Sequence, residues 1–269
     1  MNKSITVGCI GCGVMGGALI KAITKTVTPE SVFVLDLDSA KTKQLHAECG
    51  CTATENYQDF VAKKPDYILL AVKPAYMKST LEEYQKATSY LPKAFISVAA
   101  GLSIETLNSY LPHTFVRLMP NIPALVGQGM IGLTRGNATD EIVSDVMEIL
   151  SQAGILEAVP EKLMDAVTAI SGSGPAYACL FIEALADAAV KFGMPRKQAY
   201  TYAAQTLKGT ATMILEKGIH PAELKDGVCS PSGTTIEGVQ ALEEAGFRAA
   251  VMKGAEAAWL KSISMGKKS

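Results

Sequence analysis

Three glycines and one acid near the start of the chain have the types and spacing of a phosphate site. Gly11-x-Gly13-x-x-Gly16 lies in "GCIGCGVMGG", just after the apolar run "ITVGCI" and at the opening of a helical stretch. Asp36 closes the next apolar run, "VFVLD", 20 residues beyond Gly16. A dinucleotide needs a tight turn at the first glycine, close approach of pyrophosphate at the second and close helix packing at the third. It also needs amide hydrogens at a helix start, here in the stretch Cys12, Val14 and Met15, facing the phosphate charge. The alternative is a tight strand-to-helix turn with no ligand; the preceding strand, the following helix and the distant acid favour the dinucleotide. Asp36 is placed to accept hydrogen bonds from ribose hydroxyls and to repel a 2′-phosphate, which favours NADH over NADPH. Lys41 and Lys43 lie near enough in sequence to soften that preference. Two further runs, "LLAVKP" with Lys73 and Pro74 and "SVAAG" with Ala99, Ala100 and Gly101, each end a strand in small residues or a turn. Ligands of open parallel sheets lie beyond the carboxyl ends of strands, so both should flank the nicotinamide half of the cofactor.

A second group is "SPSGTT", residues 230 to 235, which holds no carboxylate, imidazole, thiol or amine. At a helix start, unpaired amides and the partial positive charge of the helix make a compact site for a small carboxylate, with donors added by Ser230, Thr234 and Thr235. Ordinary capping by serine or threonine is the other account of the same residues. "SGSGPAY", residues 171 to 177, is a similar small-residue loop before a helix. Pairs Cys9 with Cys12 and Cys49 with Cys51 invite a zinc reading, but Cys9 falls in a strand, Cys12 in a glycine turn, and Cys49-x-Cys51 lacks the usual two-residue spacer. Reduced thiols and no metal are expected. His46, His113 and His220 read as surface or loop residues.

These groups require particular elements to hold them. From residue 5 to about 160, apolar β-branched runs alternate with helical stretches: "ITVGCI", "VFVLD", "YILLAV", "AFISVAA", "TFVRLMP" and "GMIGLTR" are the strands. Strands apolar on both faces indicate a mostly parallel sheet covered by helices, an α/β Rossmann-type doubly wound domain over residues 1–160. Residues 161–269 carry five helical stretches and no strand, an all-α domain. Its alanine-rich faces, such as "EALADAAV" and "GAEAAW", allow close helix contacts and point to a homodimer, unless alanine serves helix propensity alone.

The 269 residues, 28.4 kDa, suit two domains, and a hydrophobic content of 48% supplies their cores. A net charge of -1 and scattered lysines and acids give no footprint for nucleic acid or an anionic membrane. The apolar run at residues 5 to 20, after Lys3, superficially resembles a signal peptide, but its five glycines have the spacing of a phosphate loop. No later apolar run approaches the roughly 20 residues needed to cross a bilayer, so a cytoplasmic protein acting on a small molecule is expected.

Six motifs in order, "GCIGCGVMGGAL", "AVKP", "SVAAGLSIETL", "RLMPNIPALVGQGM", "SGSGPAYACLFIEALADAAV" and "DGVCSPSGTTIEGVQALE", resemble the pyrroline-5-carboxylate reductases over nearly the whole chain. The last is the most specific, being similar to that family's DxVxSPGGTTI signature. The resemblance implies an NAD(P)H-dependent oxidoreductase that reduces the cyclic imine Δ1-pyrroline-5-carboxylate to L-proline, the last step of proline biosynthesis. It implies a helical dimerisation domain completing each site, and a ring of dimers in some members. It implies cofactor contacts from Asn56, Ala71, Val72, Lys73, Pro74, Ala99 and Ala100, and substrate contacts from Asp226, Ser230, Gly233, Thr234 and Thr235, with Thr235 the candidate partner of the ring nitrogen. Three positions depart from the family's pattern: Ser232 stands at a usual glycine, Val14 at a frequent asparagine, and Asp36 where many members have small or basic residues. A β-hydroxyacid dehydrogenase is the rival enzyme; such enzymes use a lysine with asparagine four residues on, whereas Lys162 is followed at that spacing by Ala166. A nucleotide sensor without turnover is the rival of another class.

Overall fold

The computed structural model describes residues 5–266. Its first part alternates as expected: β1 (Val7–Ile10), α1 (Val14–Ile23), β2 (Val32–Leu35), α2 (Ser39–Cys49), β3 (Thr52–Ala53), α3 (Tyr57–Ala62), β4 (Tyr67–Leu70), α4 (Met77–Ala87), β5 (Ala94–Ser97), α5 (Ile104–Tyr110), β6 (Phe115–Met119), β7 (Gly129–Thr134), α6 (Asp140–Ile149) and β8 (Gly154–Ala158). One sheet orders them β3-β2-β1-β4-β5-β6-β7-β8. Every neighbouring pair is parallel except β6 with β7.

The pleat explains the continuous apolar runs. Leu69, Ile96 and Val116 face one core, while Ile68, Leu70, Phe95 and Phe115 face a second on the other side. Successive side chains of a strand point to opposite faces, so a sheet covered on both sides must be apolar at every position. The two strands that sequence reasoning missed fail that pattern. β3 is only two residues long, and β8 is a half-exposed edge strand carrying Glu157.

Two buried polar contacts pin this layer. Tyr67 Oη donates to Asp145 Oδ2 at 2.6 Å, tying β4 to α6. Arg117, 5% exposed, donates from Nη1 to Glu161 Oε1 at 3.2 Å, and the same oxygen accepts the Ile104 amide at 2.8 Å.

The rest of the chain is helical: α7 (Met164–Val167), α8 (Gly174–Lys191), α9 (Arg196–Lys217), α10 (Pro221–Val228), α11 (Thr234–Glu244) and α12 (Phe247–Gly266). Sequence periodicity shows five of these six. It misses α10, whose sequence "PAELKDGV" contains an aspartate and a glycine, both poor helix formers.

The structure also corrects the expected loop at residues 171–177. A π-helical turn, Thr168–Gly172, runs almost directly into α8, so Glu161–Lys191 is one helical stretch of 31 residues. By length and composition this stretch would suffice to cross a membrane, contrary to the expectation from apolar runs alone. Glycine signals a break in sequence, but here the hydroxyls of Thr168 and Ser171 bond back to the carbonyls of Met164 and Val167 at 2.8 and 2.9 Å and the turn stays wound.

The chain falls into two compact units. One holds the described residues up to Ser173 together with those from Ala258 onward, and the other is Gly174–Ala257. Within the second, Phe181 and Phe247 bring their ring centroids to 5.7 Å, and Arg196 pairs with Asp187. Its buried side chains are small, namely Ala186, Ala199 and Ala203, while Leu180, Phe192, Leu215 and Met252 are 66%, 81%, 71% and 71% exposed.

Candidate functional site

The carboxyl ends of the parallel strands β1, β2, β4 and β5 gather the glycine loop, Asp36, the 71–74 segment and the 98–101 segment at one end of the sheet. The three glycines have three different surroundings. Gly11 has φ +99, and a Cβ there would stand 2.6 Å from the Ala71 carbonyl oxygen. A Cβ on Gly16 would stand 2.1 Å from the Gly11 carbonyl oxygen. Around Gly13 a Cβ would meet nothing within 4 Å, so the backbone there is open to approach. Gly13 is also the N-cap of α1 and no side chain caps that helix, leaving its first amides free for an anion. A tight turn, an open face and a packed helix are the three conditions a pyrophosphate cradle imposes, and these residues fit a dinucleotide.

Asp36 is fastened to this loop. Its Oδ2 accepts the Cys12 amide at 2.6 Å and its Oδ1 the Asp38 amide at 2.9 Å, while Lys41 Nζ lies 3.8 Å from the carboxylates of both Asp36 and Asp38. A carboxylate has about four acceptor sites, so lone pairs remain for ribose hydroxyls. Cys12 Sγ donates to the Leu35 carbonyl at 3.7 Å, and burial together with the Asp36 charge pushes its thiol up to about 12. Cys9, in β1, is buried and its thiol is likewise pushed up, so neither sulfur is a ready nucleophile.

The segment Ala71 to Pro74 leaves β4 beside Gly11, with the Ala71 amide bonded to the Ile10 carbonyl at 2.9 Å, and Pro74 opens a short 3₁₀ turn. Asn56 caps α3, where its Oδ1 accepts the Asp59 amide at 2.8 Å. Ala99 is buried, and Ala100 and Gly101 line a cavity of about 210 Å³ with Thr168, Ser173, Lys261 and Ser262. Sequence reasoning missed this cavity because its walls come from residues about 70 and 160 positions apart, and no periodicity reports such a meeting.

In the helical unit, the 230–235 loop joins α10 to α11. The cap of α11 is Gly233, and no side chain bonds the free amides of that helix, so capping by serine or threonine is not what these residues do. The hydroxyls of Thr234 and Thr235 have no hydrogen-bond partner among the described residues. A Cβ on Gly233 would sit 2.3 Å from Ser230 Oγ, which explains a glycine there. Ser232 has φ 57, the left-handed region that favours glycine. Asp226, near the end of α10, is paired with Lys225 Nζ at 2.7 Å, a contact that raises the lysine's pKa. Within this loop the Gly233 amide donates to the Ser230 carbonyl at 3.0 Å, while the Thr234 and Thr235 hydroxyls have no partner among the described residues, the condition of a surface prepared for a small anion.

Both parts of the chain match known families. Residues 161–265 match the family model described as pyrroline-5-carboxylate reductase dimerisation, and residues 6–101 match one described as NADP oxidoreductase, coenzyme F420-dependent. The Escherichia coli pyrroline-5-carboxylate reductase is 44% identical over 99% of this chain and 100% of its own. That of Methanosarcina acetivorans is 45% identical over 97% of this chain and 98% of its own. A crystal structure of the Plasmodium falciparum enzyme with NADP bound superposes with TM-score 0.85 at 34% identity, covering 97% of this chain and 98% of that one. Full-length likeness at this level, carried by both the glycine loop and the helical region, makes this chain a member of the pyrroline-5-carboxylate reductase family.

Proposed function

We propose that the protein reduces Δ1-pyrroline-5-carboxylate to L-proline with NADH or NADPH. The observation that carries this reading is the helix α11 start, capped by Gly233 with its amides unclaimed, in a chain of this family that also has an open Gly13 and a fastened Asp36. The amides of α11 with the hydroxyls of Ser230 and Thr234 hold the substrate carboxylate, and Asp226 and Gly233 shape the loop around it. A bound nicotinamide would supply a hydride to the imine carbon, with the proton carried by the ring nitrogen or delivered from water. Gly11, Cys12, Gly13, Val14, Met15 and Gly16 hold the pyrophosphate, Asp36 the adenine ribose, and Asn56, Ala71, Val72, Lys73, Pro74, Ala99 and Ala100 the remaining cofactor surface. Thr235 hydrogen-bonds the ring nitrogen and orients the ring. Because the substrate carries its own electrophilic carbon, holding and orientation provide most of what the protein must add.

Asp36 favours NADH, since a 2′-phosphate would approach a carboxylate that Lys41 offsets only from 3.8 Å. We assign residues 1–160 to cofactor binding and 161–269 to dimerisation and substrate binding. The family model for dimerisation supports a homodimer, and a ring of dimers is a larger form that the same helices can build. The apolar stretch Glu161–Lys191 then lies at a protein contact, in keeping with a cytoplasmic enzyme.

The test is the initial rate of cofactor oxidation with the imine, NADH and NADPH side by side. Turnover favouring NADH supports both the reaction and the role of Asp36, and turnover favouring NADPH removes that role alone. Cofactor binding without turnover would make the protein a nucleotide sensor. Thr235→Ala should lower kcat about tenfold or more with cofactor affinity unchanged; unaltered kcat would remove Thr235 from the site.

A further inference from the structure

At the carboxyl end of β6 the carboxamide of Asn121, only 8% exposed, is engaged at both ends. Its Nδ2 donates to the Ser171 carbonyl at 2.9 Å, and its Oδ1 accepts the Met130 amide, at the start of β7, at 3.0 Å. Ser171 lies in the π-helical turn Thr168–Gly172, where the Ser173 amide reaches five residues back to the Thr168 carbonyl at 2.9 Å. In a regular helix the Ser171 carbonyl would accept from residue 175, but Pro175 has no N–H, and leaving a desolvated carbonyl unpaired costs about 1–3 kcal/mol. Asn121 supplies that partner from 50 residues away in sequence.

The turn sits where its position matters to the reaction. Thr168 and Ser173 share a cavity of about 210 Å³ with Ala100 and Gly101, the segment proposed to flank the nicotinamide. Approach is close on the side of β6 as well, since a Cβ on Gly172 would stand 3.0 Å from the Met119 methyl carbon. A shift of the turn would therefore move the Met119 side chain at the end of β6. π-turns recur at functional sites because the extra residue aims neighbouring groups away from the regular helical direction.

We propose that Asn121 is a positioning residue for the reduction: it clamps the Thr168–Gly172 turn to the end of β6 and so holds Thr168 and Ser173 in register with the Ala100–Gly101 segment. The inference rests on the imine reductase reading. It assigns Asn121 no contact with substrate or cofactor.

The experiment compares the full-length protein with Asn121→Asp and Asn121→Ala. The aspartate keeps the shape and the acceptor for Met130 but loses the donor to Ser171, whereas alanine loses both. Steady-state kcat and KM for the imine, the dissociation constant of the reduced cofactor by fluorescence and the thermal midpoint are measured for each. The expected result is a fall in kcat of about tenfold or more in both variants, since misplacement by an ångström costs about that much or more, with cofactor affinity within about twofold. Parental kcat in Asn121→Asp overturns the proposal and leaves Asn121 a structural clasp. A kcat loss matched by an equal loss of cofactor affinity also overturns it, by locating the effect at the nucleotide. If Asn121→Ala fails to fold, Asn121→Asp alone decides. Absence of imine turnover in the parent overturns the proposed function itself, and the positioning role with it.

Discussion

The two units of this chain handle their apolar side chains in opposite ways. In the sheet unit Tyr67, Phe95, Leu69 and Ile68 are fully buried, and helices on both faces satisfy the strands. In the helical unit the side chains that reach the interior are alanines, and the large ones, Leu180, Phe192, Leu215 and Met252, face outward. The first unit closes its core by itself, whereas the second presents an apolar surface of the kind that marks an interface. The proposed cofactor site therefore falls on a scaffold with its own core. The proposed substrate loop falls on the unit that lies within the match to the dimerisation model.

The largest effect should come from the glycine loop. Gly16→Ala places a methyl 2.1 Å from the Gly11 carbonyl oxygen, so the helix or the turn must move. Cofactor binding, followed by fluorescence titration, should weaken at least about a hundredfold, the cost of lost backbone donors to pyrophosphate. Retained affinity would mean that the cradle does not hold the phosphates.

Next comes the exposed helical face. The double substitution Leu180→Glu with Met252→Glu should turn a dimer into a monomer in sedimentation and abolish turnover, while cofactor affinity changes less than about twofold. Loss of cofactor affinity along with the dimer would break the contrast, because the sheet unit would then need the partner too.

Within the sheet unit, Tyr67→Phe removes a donor to buried Asp145 and should lower unfolding free energy by about 1–3 kcal/mol in urea titration, with no change in oligomeric state. The smallest effect is expected at Ser232→Gly. Relief of the left-handed conformation should raise stability by up to about 1–2 kcal/mol, less the entropy a glycine loses on folding. An unchanged or lower thermal midpoint would show that Ser232 is held there by contacts worth more than the strain.

Legibility in the sequence follows the same division. Strands covered on both faces must be apolar throughout, so β1, β2, β4 and β5 announce themselves, and Gly11, Gly13, Gly16 and Asp36 lie within one strand-helix-strand unit whose spacing is local. The chain's resemblance to its family was equally legible, because whole motifs stand in order. The π-turn was not, since its glycines and serines read as a loop, whereas in the fold the Thr168 and Ser171 hydroxyls and the Asn121 carboxamide bond its wound form. Nor was α10, where tertiary context overrides poor propensity at Asp226 and Gly227.

By itself, then, the sequence determined the long strands of the sheet and most of the later helices, the dinucleotide loop with its acid, and the small-residue loop before α11, all written within short stretches where steric needs restrict residue choice. Only the tertiary structure decided that Gly233 rather than a hydroxyl caps α11, that Ser232 is left-handed, that Asp36 is fastened to the Cys12 amide, and that Asn121 clamps a turn 50 residues away. Those outcomes depend on which hydrogen-bonding groups meet after the chain has folded, and no local pattern encodes a meeting between distant segments.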